Sequence, residues 1–390
     1  MWDSQVVVSG AAQTPFNRRK DGSGPRDWAA TAFNVALKTA RLDPHQIDAL
    51  FIGSESDFFA LQLNPSSVLA SDLGLTGAPA VRCEAGGASG QMAVQQAITA
   101  VQSGLYRHVA VIGVDASASG LPAEKIKELY GFSYDAWTDG LTGLTSTALY
   151  ALSWQAFAPV YGLGPEDLAA VTQQNRSNAC DNPDAHLPRQ DRSEEIDASP
   201  MIASPYRRLH CSPLSDGAAA LILSHTSTEP RSEAPVVAGI GSATDAMHLG
   251  ARPRPGQFAA KQRAMKKACE LAGIAPSAIG VAEVYDAYAG AQLQALAALG
   301  LSDSPAEDLR SGAFAPGGRC PVNLSGGLMG QGAPAGAIGV AQVAACARML
   351  DGRYHAALQP SSIPNYALAD THGGICTTAG VTILKRAGIR

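Results

Sequence analysis

The sequence predicts an α/β protein made of two similar halves, each with a sheet covered by helices. The chain has 390 residues, which is more than one ordinary hydrophobic core accommodates. Hydrophobic residues make up 46% and charged residues 16%, so we expect a large buried core and little disorder. Short apolar segments alternate with segments of helical periodicity, which is typical of a parallel sheet with helices on both faces.

The N-terminal part of the chain shows this alternation most clearly. The predicted elements are a strand at 5–12, a helix at 27–42, a strand at 49–54, a helix at 66–75, a strand at 78–85, a helix at 88–103 and a strand at 108–115. An aromatic and then polar stretch at 118–206 interrupts the alternation, and an apolar strand within 212–224 resumes it. Stretches of this length inside a compact α/β protein are typically functional lids or dimer elements.

The second half repeats the pattern. Its predicted elements are strands at 235–242 and 279–285, helices at 258–272, 289–299 and 336–350, and strands at 354–359 and 380–385. We therefore predict an N-terminal half (1–117 and 207–230), an excursion (118–206) and a C-terminal half (231–390). In each half a Gly-rich turn, Gly86-Gly87 or Gly326-Gly327, opens a helix. Helix N-termini at one edge of a sheet favour anions and oxyanions, so we expect the active site between the halves.

Composition and charge argue against several classes of protein. The net charge is −5 and the basic runs are short, so we expect no nucleic-acid partner. No signal peptide is visible, and Gln342 and Arg348 interrupt the most apolar helix, so we expect a cytoplasmic protein without a membrane span. The seven cysteines are an odd number without a CxxC pair, which argues against a disulfide framework and against a metal site.

Five segments, in this order along the chain, carry a family resemblance. They are 84–90 (EAGGASG), 199–205 (SPMIASP), 210–220 (HCSPLSDGAAA), 283–288 (EVYDAY) and 323–337 (NLSGGLMGQGAPAGA). Together they resemble the thiolase superfamily, in particular its sterol-carrier and archaeal branch. The resemblance implies the thiolase fold, in which two βαβαβαββ halves pack as an α-β-α-β-α sandwich. It also implies a homodimer and an acyl-CoA substrate that brings coenzyme A with it, with no bound cofactor. A small OB-fold, zinc-ribbon protein is a further expected partner.

The four positions that carry thiolase chemistry are all changed in this chain. Thiolases acylate a cysteine at a helix N-terminus, where the helix lowers the thiol pKa and a backbone N–H supports the oxyanion. Here that position falls on Gly87, because the Ala-Ser-Gly that follows matches the family helix. The activating histidine's place falls on Ala333, the Asn/His place on Tyr285, and the second cysteine's place near Asp370. Loss of the whole set indicates different chemistry or none.

Tyr285 and Asp286 suggest a different chemistry. The pair is similar to the Tyr-Asp pair of the lipid-transfer-protein aldolases, which cleave side chains of steroid CoA thioesters by a retro-aldol step, although 334–338 lack the second tyrosine of those enzymes. A phenol donates a proton to a carbonyl or, with a lowered pKa, accepts one from a hydroxyl. Retro-aldol cleavage needs no acyl-enzyme, but it needs a base and donors for an enolate oxygen. The predicted oxyanion and substrate-binding positions are Gly87, Gly327, Ala333, Gly373 and Gly374.

His372 is the candidate base, with Asp370 as the residue that orients it. Cys376 follows four residues later and is a further candidate to face the pocket. Each candidate has a structural alternative. Tyr285 suits a half-buried aromatic at a strand end, His372 suits a surface turn, and Cys376 suits a packed core.

Three functional hypotheses remain open. The first is an enzyme that acts on a carbon–carbon bond of an acyl-CoA thioester without an acyl-cysteine, by retro-aldol cleavage of a β-hydroxyacyl-CoA. The second is a non-catalytic thiolase-like subunit of a hetero-oligomer. The third is an ordinary acetyl-CoA acyltransferase, in which Cys83 is the nucleophile and the register above is shifted by four residues.

Overall fold

The computed structural model describes residues 2–19, 21–229 and 231–389. Its strands are β1 (Val6–Gln13), β2 (Ala49–Gly53), β3 (Ala80–Cys83), β4 (His108–Ala116), β5 (Met201–Ala203), β6 (Tyr206–Arg207), β7 (Asp216–His225), β8 (Val236–Thr244), β9 (Val281–Glu283), β10 (Tyr366–Gly373) and β11 (Thr378–Lys385). Its helices are α1 (Pro25–Ala40), α2 (Asp57–Ala60), α3 (Pro65–Asp72), α4 (Ser89–Gln102), α5 (Ala123–Tyr130), α6 (Ser146–Phe157), α7 (Pro165–Cys180), α8 (Ser193–Ala198), α9 (Ala259–Ala272), α10 (Ala289–Ala298), α11 (Pro305–Arg310), α12 (Gly327–Gly330) and α13 (Ala335–Leu350).

The large sheet repeats one strand order in the two halves of the chain. Its order is β3-β2-β4-β7-β1-β8-β11-β10-β9, so β3-β2-β4-β7-β1 is mirrored by β9-β10-β11-β8. A parallel bridge from Ala282 to Val322 takes the place that β3 has in the first half. The halves join where β1 and β8 run antiparallel at Val7 and Val236. The internal duplication expected from the sequence is visible in this order.

The sheet is mixed rather than parallel, which corrects the expectation from the strand–helix alternation. β2 runs parallel to β3 and β4, and β9 runs parallel to β10. β7 is antiparallel to both β1 and β4, and β11 is antiparallel to β10 and β8. In the second half β10 returns directly into β11 through a short turn, and such a return gives antiparallel pairing, whereas in the first half the whole excursion lies between β4 and β7.

Two central helices lie between the halves of the sheet. α4 and α13 pack against each other, α13 also contacts β4 and β10, and α1 and α9 cover the outer faces against β1 and β8. These contacts give the α-β-α-β-α layering that the resemblance implies. The layers approach closely because Gly113 of β4 faces α13. A Cβ there would lie 2.7 Å from the Ala337 Cα and 2.9 Å from the Val340 Cγ2.

The excursion packs chiefly on the C-terminal half. Trp154 and Phe157 of α6 and Leu168 of α7 share one buried cluster with Phe258 and Leu293. These aromatic side chains form core, whereas Trp137, which precedes α6, is 85% exposed. Within the described residues, no helix combines the length and the hydropathy that a bilayer crossing requires.

The strand predicted at 354–359 is wrong. Tyr354 and Leu358 are buried in a hydrophobic cluster, but their segment forms turns. The strand of this region is β10, which pairs with β9 and β11. The apolar residues at 354 and 358 are buried by packing alone, so their pattern did not require ladder hydrogen bonds.

We expect Gly113→Ala to lower the free energy of unfolding by about 1–3 kcal/mol, because the added methyl group overpacks the contact between β4 and α13. Gly317→Ala is the matched control, since an added Cβ there meets nothing within 4 Å. Urea unfolding of both variants measures the difference. Equal midpoints for the two variants would contradict the close approach.

Candidate active site

The predicted position of the thiolase nucleophile lies in a tight turn at the start of α4. Gly86–Ala88 form one turn of 3-10 helix, and α4 follows at Ser89. The Ser89 hydroxyl accepts the Ala85 N–H at 2.9 Å and donates to the Gly86 carbonyl at 2.6 Å, so it is used within the turn. Gly87 is buried and has no side chain. The helix N-terminus therefore has no nucleophile of its own.

The Tyr285 phenol occupies the space beside Gly87. A Cβ atom at residue 87 would overlap the Tyr285 hydroxyl oxygen and would lie 2.8 Å from the His372 carbonyl oxygen. Tyr285 follows β9 of the C-terminal half, whereas Gly87 belongs to the N-terminal half. The tyrosine and the glycine thus form one arrangement across the junction of the halves.

Tyr285 is a buried hydrogen-bond donor. Its side chain is 9% exposed, and its ring centroid lies 4.4 Å from that of His372. Burial, and then the nearby Glu55 carboxyl, raises the pKa of Tyr285 well above its ordinary value. The phenol therefore keeps its proton at neutral pH and is suited to stabilise a developing oxyanion rather than to remove a proton.

His372 is fully buried in β10, so the surface-turn alternative is wrong. Its Nε2 lies 2.6 Å from the Tyr150 hydroxyl, which donates to the Gly374 carbonyl at 2.7 Å. Since that hydroxyl has one proton, Nε2 must carry hydrogen and Nδ1 a lone pair. Nδ1 is buried without a partner among the described residues. Burial, and then Lys261 and Arg252, holds the pKa of His372 well below its usual range, so the ring is neutral.

Asp370 pairs with Lys261 and not with His372, which corrects the predicted orienting role. Both members of the pair are fully buried. Asp370 and His372 lie two residues apart on β10 and so share a face, but the hydrogen bonds of the His372 ring involve Tyr150. Sequence reasoning missed Lys261. Its signal is a position on the face of α9 that also buries Ala264 and Met265.

Two glycine amides are available in the site. Gly373 is packed on the Gly87 turn, where a Cβ at residue 373 would overlap the Ala85 carbonyl oxygen and lie 3.4 Å from the Gly87 nitrogen. Within the described ranges, neither the Gly87 N–H nor the Gly374 N–H donates to a protein acceptor. These two amides are the free backbone donors at the turn, in keeping with the oxyanion role predicted for this region.

The amides of Gly327 and Ala333 are occupied. The Gly327 N–H donates to the Ser325 hydroxyl at 3.1 Å, and the Ala333 N–H donates to the Ser215 hydroxyl at 3.1 Å. These two amides therefore donate within the protein, and the oxyanion and substrate-binding role predicted for Gly327 and Ala333 stays a prediction. Ala333 lies in the same buried cluster as Tyr285, and its contact with substrate stays a prediction.

Asp286 anchors the loop that follows Tyr285. Its Oδ1 accepts the Leu328 N–H at 2.7 Å, and its Oδ2 accepts the Asn175 side-chain amide at 2.7 Å and the Met329 N–H at 3.3 Å. Asn175 belongs to α7 of the excursion. Asp286 therefore ties the loop after Tyr285 to α12 and to the excursion.

The cysteines are not activated. Cys83 is the last residue of β3, and burial raises the pKa of its thiol. Cys376 is fully buried, and burial raises its pKa to about 12. Because the thiolate is the nucleophilic form, neither environment promotes acyl transfer. The space at the tip of α4 is filled by Tyr285, which argues against the hypothesis that Cys83 reacts there.

Sequence reasoning also missed a carboxyl group beside the turn. Glu55 follows β2, and its Oε1 lies 3.8 Å from where a Cβ would stand at Gly86. Burial, and then the Asp115 and Glu84 carboxyls, raises the pKa of Glu55 to about 8. Its sequence signal is its place after an apolar parallel strand, since loops at the carboxyl ends of such strands form binding sites.

Comparison with known proteins identifies the family. A family model described as "Thiolase, N-terminal domain" matches residues 6–190, and one described as "Thiolase C-terminal domain-like" matches residues 241–386. The acetyl-CoA acetyltransferase of Methanothermobacter thermautotrophicus is 32% identical over 388 residues, which cover 98% of this chain and 99% of that protein. The chain belongs to the thiolase family.

One further relative agrees with the predicted branch, and one solved structure shows the fold. Human sterol carrier protein 2 is 26% identical over 415 residues, which cover 98% of this thiolase-family chain and 72% of that protein. The solved structure of the Ltp2-ChsH2(DUF35) aldolase matches with a TM-score of 0.84 at 23% identity and covers 99% of each chain. The predicted thiolase fold is confirmed.

We expect Gly87→Ala to lower the free energy of unfolding by about 1–3 kcal/mol, because its methyl group overlaps the Tyr285 hydroxyl. Adding Tyr285→Phe to Gly87→Ala removes that oxygen, so the double variant should recover part of the lost free energy of unfolding. The recovery is partial because the added methyl group still lies close to the His372 carbonyl oxygen. Chemical unfolding of the two single variants and the double variant gives the coupling between the sites. Simple additivity of the two changes would refute the overlap.

A second expectation concerns Cys83. Cys83→Ala should keep at least half of the wild-type turnover, because its thiol is neither activated nor placed at the tip of α4. Iodoacetamide labelling with peptide mapping should modify Cys83 no faster than the exposed Cys180. Rapid and selective labelling of Cys83 with loss of activity would restore the acyltransferase hypothesis.

Proposed function

We propose that this thiolase-family chain cleaves a carbon–carbon bond of a β-hydroxyacyl-CoA thioester by a retro-aldol reaction, without an acyl-enzyme. The observation that carries the proposal is the Tyr285 hydroxyl in the place where residue 87 would otherwise project a side chain. A site with a phenol and no sulfur at that point retains oxyanion support but has lost covalent acyl transfer. The similar fold of the Ltp2-ChsH2(DUF35) protein, which is named an aldolase, supports this interpretation.

The reaction requires few groups. A base removes the proton of the β-hydroxyl, the bond between the α- and β-carbons breaks, and its electron pair moves to the α-carbon. The products are an aldehyde or ketone and a thioester enolate, which takes up a proton at the α-carbon to give the shortened acyl-CoA. The Gly87 and Gly374 N–H groups and the Tyr285 hydroxyl are the donors for the enolate oxygen.

His372 contacts the residues that carry these hydrogen-bond donors. It is fully buried, its ring lies against that of Tyr285, and Tyr150 connects it to the Gly374 carbonyl. It therefore packs against the phenol and, through Tyr150, is connected to the backbone at Gly374. The neutral ring adds no positive charge that would lower the Tyr285 pKa.

We also propose that the chain acts within a complex, as a homodimer joined by a small OB-fold, zinc-ribbon protein. The name Ltp2-ChsH2(DUF35) aldolase has two components, and a two-component relative of similar fold supports a partner of this kind. The second candidate function, a non-catalytic subunit, is favoured by the change at all four thiolase positions. Under that function, no turnover is observed until a catalytic partner chain is added.

Tyr285→Phe should lower kcat about 10²–10³-fold, as expected for the loss of one oxyanion donor. Turnover is measured with β-hydroxyacyl- and β-ketoacyl-CoA esters, with and without free CoA. Retro-aldol cleavage proceeds without free CoA, whereas thiolysis requires it. Tyr366→Phe at the start of β10 is the control and should leave kcat unchanged. Full activity of Tyr285→Phe, or strict dependence on free CoA, would overturn the proposed function.

A further inference from the structure

Glu55 lies at the front of the Gly86–Gly87 turn. Its Oε1 is 3.8 Å from the place of a Cβ at Gly86, and the Tyr285 hydroxyl stands beside Gly87, the next residue. The Glu55 side chain is half-buried, unlike the fully buried His372. The two groups therefore flank successive positions of one turn.

The backbone of Glu55 is held in place from both halves of the chain. Asp115 at the end of β4 accepts the Glu55 N–H at 3.0 Å and the Ser54 hydroxyl at 2.7 Å. The same Asp115 carboxylate accepts the Gly336 N–H at 2.6 Å, at the start of α13. Asp115 therefore fixes the Glu55 loop against the central helix, and the carboxyl of Glu55 stays free of this network.

One oxygen of the Glu55 carboxyl has no protein partner. Among the described residues, Oε2 is shielded from solvent and makes no hydrogen bond. The groups that face the carboxyl are Asp115 of β4, Glu84 after β3, Tyr130 of α5 and Tyr285 after β9. Burial and the two neighbouring carboxyls raise the pKa of Glu55 to about 8, and the Tyr130 hydroxyl offsets part of that rise. A carboxyl in this range exchanges its proton readily near neutral pH.

Neither Tyr285 nor His372 is well suited to act as the base. Tyr285 keeps its proton, because burial raises its pKa. His372 has a free lone pair on Nδ1, but its ring is fully buried and packs against the Tyr285 ring. Buried polar atoms without a partner are rare and indicate either a missing ligand or a functional role. The unpartnered Glu55 oxygen is buried as well, but the Glu55 side chain as a whole is only half-buried beside the turn.

We propose that Glu55 is the catalytic residue that transfers the proton in this site. Its carboxylate accepts the proton of the substrate β-hydroxyl, the bond between the α- and β-carbons breaks, and the Glu55 carboxyl then returns that proton to the α-carbon of the enolate. One proton is taken up and one is given back, so no other reactant is required. The inference rests on the proposed retro-aldol function, but proton transfer at an α-carbon is also measurable without cleavage.

The test compares Glu55→Gln with the wild-type chain, using Glu124→Gln on the exposed part of α5 as the matched control. The first readout is cleavage of β-hydroxyacyl-CoA esters. The second is exchange of the α-protons of acetyl-CoA and propionyl-CoA in deuterium oxide, followed by NMR. We expect Glu55→Gln to reduce both rates about 10²–10⁴-fold, the usual range for loss of a general acid–base group. The control should match the wild type.

The pH profile gives an independent readout. Glu55 must be ionised to accept the proton, so wild-type kcat/KM should rise as pH increases through about 8, where this carboxyl loses its proton. Glu55→Gln should lack that rise. The pKa of Glu55 is higher in the folded than in the unfolded chain, so the folded wild type binds more protons at pH values between the ordinary pKa of Glu55 and about 8. The stability of the wild type therefore falls as pH rises in that window. Glu55→Gln should lack this loss too.

The outcomes separate the two proposals. If the wild type cleaves without free CoA and Glu55→Gln does so equally well, the role of Glu55 is refuted and the retro-aldol function stands. If cleavage requires free CoA but α-proton exchange is lost in Glu55→Gln, the retro-aldol function fails and the role of Glu55 stands. Absence of both reactions in the wild type overturns both proposals.

Discussion

A side chain at residue 87 and the phenol of Tyr285 exclude each other, because both require the same space at the start of α4. The start of α4 therefore carries no nucleophile, but the space beside it is not empty. The space is filled by a hydroxyl delivered from the other half of the chain. This constraint links the glycine of the Gly-rich segment 84–90 to the tyrosine of the segment 283–288.

Buried hydrogen bonds and one buried ion pair fix the relative positions of the loops at the junction of the two halves. Asp115 connects the Glu55 loop to α13, Asp286 connects the loop after Tyr285 to α12, and Lys261 of α9 pairs with Asp370 of β10. Removing one member of a buried charged pair typically costs about 3–5 kcal/mol, since the partner is left without compensation. Such pairs add little net stability, but they define the positions of the loops that carry the site.

The electrostatic state of the site suits a reaction without a covalent intermediate. Tyr285 is protonated, His372 is neutral, and Glu55 titrates near neutral pH, each as a consequence of burial. A thiolate would need positive charge or a helix dipole without competing carboxyls. Here Glu84 and Asp115 lie close to the turn and raise the pKa of Glu55, and carboxyls in this position also disfavour an ionised thiol.

The sequence alone determined the α/β class, and its short motifs carry the resemblance that implied the thiolase fold and the four changed thiolase positions, because apolar periodicity and short motifs are local properties of the chain. It did not determine the strand directions, since the pairing of β7 and β11 with their neighbours is antiparallel. It identified Tyr285, Gly87 and His372, but it did not reveal that the phenol fills the place beside Gly87 or that His372 is buried. Nor did it reveal the Lys261 partner of Asp370 or the position of Glu55 at the turn. These facts depend on residues distant in sequence that the packing of the two halves brings together. Only the tertiary structure decides such contacts, since burial and close approach set both the available space and the pKa of each group.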